Sequence, residues 1–190
     1  KSGEFVTSKY YYDEYPKWVN DWNATKPTKK YHQKAWQLSQ KKEGYVFAKQ
    51  DDQPWETKLP GFGRTFPHQY GDMSNPYFNT FLTLSPAGDE LTLDFAKAVV
   101  NNEQLGQDGI TDYLSVSFSS TDYVGHIFGP SSLEAEDNLL RLDRTIAELL
   151  KFIDKKVGLD NTLIVLSADH GAAEVPAYLS SLGMKTKPVA

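Results

Sequence analysis

Thr162-Leu163-Ile164-Val165-Leu166-Ser167-Ala168-Asp169-His170-Gly171 is the stretch whose reading decides the fold. Its first half is a continuous apolar run, far too short to span a bilayer, of the kind expected in a parallel sheet covered on both faces. Its second half leaves that strand with a carboxylate, an imidazole and a glycine suited to a turn. Upstream, Tyr113-Leu114-Ser115-Val116-Ser117-Phe118-Ser119 alternates apolar and small polar residues, which is the period of a strand. Between the two, Leu139, Leu142, Ile146, Leu149, Leu150 and Ile153 recur at helical spacing, predicting a helix from about Ser132 to Val157. Ser131 or Ser132 is placed to cap it, Glu134 and Glu136 lie near the positive end of its dipole, and Gly158 follows as a stop. Strand, helix, strand in this order predicts a right-handed βαβ unit. A further amphipathic helix is predicted after Ser85-Pro86, through Leu91, Phe95, Ala98 and Val99.

Ligands of open α/β sheets bind beyond the carboxyl ends of the strands. Immediately after the first predicted strand, a loop is expected over Ser120-Thr121-Asp122-Tyr123-Val124-Gly125-His126-Ile127-Phe128-Gly129-Pro130, and after the second come Asp169, His170 and Gly171. Taken singly, each half reads equally as a cap or turn with a surface histidine. Taken together, both sit at equivalent topological positions, and four ligand-type side chains, Asp122, His126, Asp169 and His170, converge on one edge if the strands are neighbours. The chain has no cysteine, so any metal must be held by histidines and carboxylates, which suits a cation such as zinc.

The first third has a different texture. Tyr10, Tyr11, Tyr12, Tyr15, Trp18, Trp22, Tyr31, Trp36, Tyr45 and Trp55 are interleaved with Lys, Asp and Asn, and residues 50–86 are rich in Gly, Pro, Asn and Asp. Pro16-Lys17-Trp18-Val19 reads as the start of a short helix. The chain therefore divides into an aromatic-rich, loop-rich cap over residues 1–85 and a partial α/β core over residues 86–190. All four Trp precede residue 56, which predicts a core of its own for the first part. With 190 residues, a formal net charge of −5 and no long basic stripe, recognition of duplex nucleic acid through phosphate neutralisation is not expected. No signal-peptide pattern opens the chain.

The motif Asp122-Tyr123-Val124-Gly125-His126 with Gly129-Pro130, followed by Leu163-Ile164-Val165-Leu166-Ser167-Ala168-Asp169-His170-Gly171, resembles the alkaline phosphatase superfamily. The branch resembled most is that of phosphate-irrepressible alkaline phosphatases and nucleotide pyrophosphatase/phosphodiesterases. The segment Gly3–Tyr12 with Pro16-Lys17-Trp18-Val19 and Asn23, and the segment Ser85–Ala96, fit the first of these groups. The resemblance implies an α/β fold, part of an alkaline-phosphatase-like sheet with flanking helices. It also implies two zinc ions, one bound by Asp122 and His126 and the other by Asp169 and His170, flanking a phosphoryl group during in-line displacement. The substrate implied is a phosphate ester, either a small molecule or a nucleotide, and the parent is expected to be periplasmic or secreted.

Zinc takes three or four protein ligands, and this chain offers two per metal. The family's remaining ligands, its Thr or Ser nucleophile and its Lys/Arg pair match no segment here. His32 and His68 lie too early to serve as the family's late histidine. Thr121 or Ser120 as a substitute nucleophile has no support in the family. The expectation is thus an internal fragment of a metal-dependent phosphoric ester hydrolase, inactive or nearly so alone, with metal sites that could stand unoccupied and a truncated sheet prone to self-association. The alternatives are a sulfatase or phosphomutase of the same superfamily, or a noncatalytic binding module that uses its aromatics.

Overall fold

The computed structural model describes residues 2–186. Its backbone is a long helix α5 (Leu133–Lys156) packed against α3 (Pro86–Asn102) and α4 (Ser120–Phe128), with a short α2 (Phe78–Thr83) against α3. A first helix α1 (Lys17–Ala24) and a terminal α6 (Pro176–Ser181) flank this group. Ser132 caps α5 as its sequence predicts, its hydroxyl accepting the Ala135 N–H at 3.0 Å. Pro86 occupies the first turn of α3, where its missing N–H costs nothing.

The two predicted strands are corrected. Residues 113–119 and 162–167 join no ladder, and the sheet formed among the described residues is the two-residue antiparallel pair β1 (Ala35–Trp36) and β2 (His68–Gln69). A strand is a relation between chains, so an alternating or apolar run stays unladdered where no neighbour presents its N–H and C=O groups. The alternation survives in burial: Leu114, Val116 and Phe118 are half-buried while Tyr113, Ser115, Ser117 and Ser119 are exposed. The run at 163–166, which was expected to be covered on both faces, is exposed, with Leu163 at 91% and Val165 at 80%.

Segment 120–130 is also corrected: most of the expected loop is helix α4. Ser119 and Ser120 before Asp122 place small polar and acidic residues where a helix begins, and the chain turns out at Gly129 with φ +98°.

The aromatic lobe does not keep a core of its own. Tyr31, Trp36, Phe62, Tyr70, Phe78 and Phe81 share one buried cluster with Leu91, Val124, Phe128 and Ala135 from the helices. Farther out, Phe5 stacks on Phe95 at 4.1 Å between ring centroids, and Trp22 meets the same ring edge-on. The physical reason is that the lobe has little regular structure with which to cover its own rings, and each fully buried aromatic contributes roughly 1.5–3 kcal/mol only when covered.

Polar groups of α5 tie the two parts together. Asp137 is fully buried and accepts the Trp36 indole N–H at 2.6 Å, the Ser39 N–H at 2.7 Å, the Tyr45 hydroxyl at 2.5 Å and the Arg141 Nε–H at 2.7 Å. Burial alone would raise its pKa, but the hydrogen bonds from Tyr45, Trp36 and Ser39 outweigh it and hold the carboxyl below its ordinary range. Glu134 lies in the first turn of α5, as expected, and is fully buried against His68. Leu139, expected on the apolar stripe, is half exposed.

Candidate metal centre

Helix α4 sets the first half of the centre. Asp122 lies in its first turn and His126 in its last, four residues apart and therefore on one face. The Asp122 Oδ1 and His126 Nε2 atoms stand 3.4 Å apart. The second half arrives on the segment that leaves α5 through Gly158, at φ +89°, and a short 3-10 turn at Leu159–Asn161. It carries His170 Nε2 to 3.7 Å from Asp122 Oδ1 and 3.6 Å from Asp169 Oδ2. The four residues proposed from the sequence are thus brought together, although the strands expected to place them are not laddered.

Two contacts hold the halves in register, and a third anchors α4. The Ser131 hydroxyl donates to Glu174 Oε1 at 2.6 Å, joining the α4–α5 turn to the segment beyond His170. The Thr57 N–H donates to the Ile127 carbonyl at 2.8 Å, fixing the end of α4 against the aromatic lobe. At Gly129 a Cβ would stand 3.1 Å from Val175 Cγ2, so the turn after α4 and the second segment approach closely where only glycine accommodates both the contact and the φ.

The donor set has a consistent polarity. Nδ1 of His170 lies 3.0 Å from the Gly171 carbonyl and must donate to it, so the neutral ring turns the lone pair of Nε2 toward the two carboxylates. This is the arrangement common to ligating histidines, whose other N–H is engaged by a carbonyl or carboxylate. Either a proton on Nε2 or a cation at this position satisfies the facing carboxylates. The Gly171 carbonyl and the charges of Asp169 and Asp122 accordingly raise the His170 pKa. Two donors on one tetrahedral zinc are separated by roughly 3.3 Å when each bond is about 2.0–2.1 Å, so the observed spacings suit atoms sharing a small cation. The face is open: side-chain exposure is 74% at His126, 60% at His170 and 90% at Asp169. Among the described residues no group of three or more His, Asp or Glu side chains is arranged to hold a metal ion.

The other histidines stay away from this cluster. His32 lies 3.6 Å from Asp72, and His68 is sealed in the core. Ser120 is buried, and the Thr121 hydroxyl accepts the Asn138 side-chain N–H at 2.9 Å. The sequence reading missed Asn138 and Glu174, which carry no local signal; it named Ser131 only as a possible cap of the long helix and Asp89 only within the Ser85-Pro86 segment. Asp89 is buried, accepts the Ser120 N–H at 3.1 Å, and is pushed up to about 6 chiefly by desolvation, with hydrogen bonds from Ser120 opposing.

The chain belongs to the type I phosphodiesterase / nucleotide pyrophosphatase family, which it matches over residues 3–186. Alkaline phosphatase PhoV of Synechococcus elongatus is 42% identical over 94% of this chain and 32% of its own length. Alkaline phosphatase PafA of Elizabethkingia meningoseptica is 41% identical over 97% of this chain and 34% of its own. A crystal structure of wild-type alkaline phosphatase PafA superposes with a TM-score of 0.88 at 41% identity, covering 97% of this chain and 36% of that one. The α/β fold of the alkaline phosphatases over this stretch follows from that likeness, with the chain spanning about a third of the length of these relatives.

Proposed function

We propose that this chain carries half of the two-zinc centre of a phosphate-ester hydrolase of the alkaline phosphatase or phosphodiesterase type. Asp122 and His126 would hold one ion and Asp169 and His170 the other. The observation that carries the reading is the meeting of Asp122 Oδ1, His126 Nε2, His170 Nε2 and Asp169 Oδ2 within 3.4–3.7 Å links, with the His170 tautomer set by Gly171. Bound zinc supplies electrophilic stabilisation of the phosphoryl oxygens. The chain's own part is to fix two carboxylates and two imidazoles on one open face.

The phosphatase relatives favour this class over a sulfatase or a phosphomutase. The substrate class is a phosphate ester, whether a small molecule or a nucleotide, met in the periplasm or outside the cell. No described helix is long and apolar enough to cross a membrane. The remaining ligands and the nucleophile would come from outside these residues, leaving the chain alone inactive. Exposure of Leu163, Val165 and Leu166 supports self-association of the isolated chain through this uncovered apolar segment.

Zinc calorimetry on this chain and on a His126→Ala/His170→Ala double variant tests the reading. Weak binding in the parent that vanishes in the variant is the expected result. Equal binding by both would remove the four residues from the metal site.

A further inference from the structure

The cluster is only as good as the placement of α4, and α4 begins without its own cap. Ser119 makes no side-chain bond to the first turn and sits at φ −95°, ψ −6°, away from the extended conformation of a capping residue. The orphan N–H of Ser120 is taken up from another helix: Asp89 Oδ1 accepts it at 3.1 Å. Asp89 is 2% exposed and Ser120 3% exposed, so the bond is made between buried groups. The carboxylate also lies at the positive end of the α4 dipole.

A second, independent feature brings the two helices this close. At Gly88 a Cβ would fall 2.5 Å from the Ser120 hydroxyl, 3.2 Å from the Leu82 carbonyl and 3.3 Å from Thr83 Cα, so only glycine lets the first turn of α3 reach the start of α4. From the opposite side α5 holds the next residue, with Asn138 Nδ2–H donating to Thr121 Oγ1 at 2.9 Å. The first turn of α4 is gripped at two successive residues, and the next one is Asp122. Beside this contact lies a cavity of about 440 Å³, bordered by Ser2, Thr28, Asp89, Ser119, Ser120 and Tyr123. The turn therefore has room to move if the grip is released.

We infer that Asp89 is a positioning residue for the metal site: it caps α4 from α3 and thereby fixes the Asp122 carboxylate relative to His126 and His170. The inference rests on the reading of Asp122 as a ligand. It requires an acceptor at the Oδ1 position and does not require a negative charge. Asp89 Oδ2 has no partner, so an amide nitrogen can stand there.

The test is zinc calorimetry on the complete gene product carrying Asp89→Ala, Asp89→Asn or Asp122→Ala, alongside the visible spectrum of the cobalt-substituted protein and the Tm of the metal-free forms. Positioning partners outside the ligand set typically change metal affinity by about 10–100-fold, so Asp89→Ala is expected to bind about tenfold more weakly with an altered cobalt spectrum, and Asp89→Asn to stay within about twofold of the parent. If Asp89→Ala does not fold, Asp89→Ser takes its place, since its hydroxyl is one bond short of the Ser120 N–H. A merely structural residue would lower Tm and leave affinity and spectrum unchanged; that result overturns the inference, as does Asn weakening binding as much as Ala. Should Asp122→Ala abolish binding while Asp89→Ala binds normally, the inference alone falls. If Asp122→Ala binds normally, the metal-site reading falls with it.

Discussion

Replacing Glu134 by Gln should make the protein's stability less sensitive to alkaline pH. His68 Nδ1 lies 3.2 Å from the Phe62 carbonyl and must donate to it, so the Nε2 of a neutral ring is an acceptor. Glu134 Oε1, 3.1 Å from Nε2, then has to carry the proton. Both side chains are fully buried and Glu134 Oε2 has no partner, which also favours the uncharged acid. Burial pushes Glu134 up to about 8 and His68 down to about 4, against ordinary values of 4.5 and 6.5. For Glu134 the folded state keeps a proton that the unfolded state loses near 4.5, so its contribution is complete below that pH and declines as pH rises towards 8. For His68 the unfolded state binds the extra proton between about 4 and 6.5, so stability rises with pH there and the two slopes oppose. From 6.5 to 8 Glu134 acts without that opposition. At about 1.4 kcal/mol per pH unit, the parent should lose roughly 2 kcal/mol over this interval relative to the variant, whose amide keeps a donor for His68. Urea unfolding followed by tryptophan emission is a local assay, since Trp36 packs 5.3 Å from His68 between ring centroids. A parent-minus-variant difference that is flat with pH, joined to a loss of stability in the variant at pH 7, would show an imidazolium–carboxylate pair and refute the reasoning.

Asp137→Ala should destabilise by about 3–5 kcal/mol, because it strands the buried Trp36, Ser39 and Tyr45 donors and leaves Arg141 without its carboxylate; a loss under ~1 kcal/mol in urea unfolding would mean these bonds are replaced by water. The depressed pKa of Asp137 adds a sign: its contribution is present above the ordinary Asp range and is lost as pH falls through the lowered value, whereas the Ala variant should lack that acid-side loss. Light scattering on the isolated chain should find concentration-dependent association that a Leu163→Ser/Val165→Ser variant reduces, and a parent that stays monomeric at high concentration counts against the exposed apolar segment as its cause.

Local signals in the sequence placed α3 and α5 and marked four candidate ligand residues, but not α4, which was expected as a loop. Ser132 and the spacing from Leu139 to Ile153 were enough to place α5 to within a residue at each end, because capping and 3.6-residue periodicity are properties of neighbouring residues. Asp122, His126, Asp169 and His170 were legible as a set because the chain has no thiol and both pairs follow strand-like runs. Strand pairing was not legible, since a ladder needs a partner that no single run contains. Nor was the shared core: the rings of the first 85 residues needed the surfaces of α3, α4 and α5 to bury them. Tertiary structure alone decided that Glu134 faces His68 rather than water, and that Asp137 gathers four donors from residues 36 to 141. The same holds for Asp89, which serves a helix 31 residues away. A buried carboxylate is defined by the donors that surround it, and those donors are distant in sequence; chain order names the acids, and packing assigns them their work.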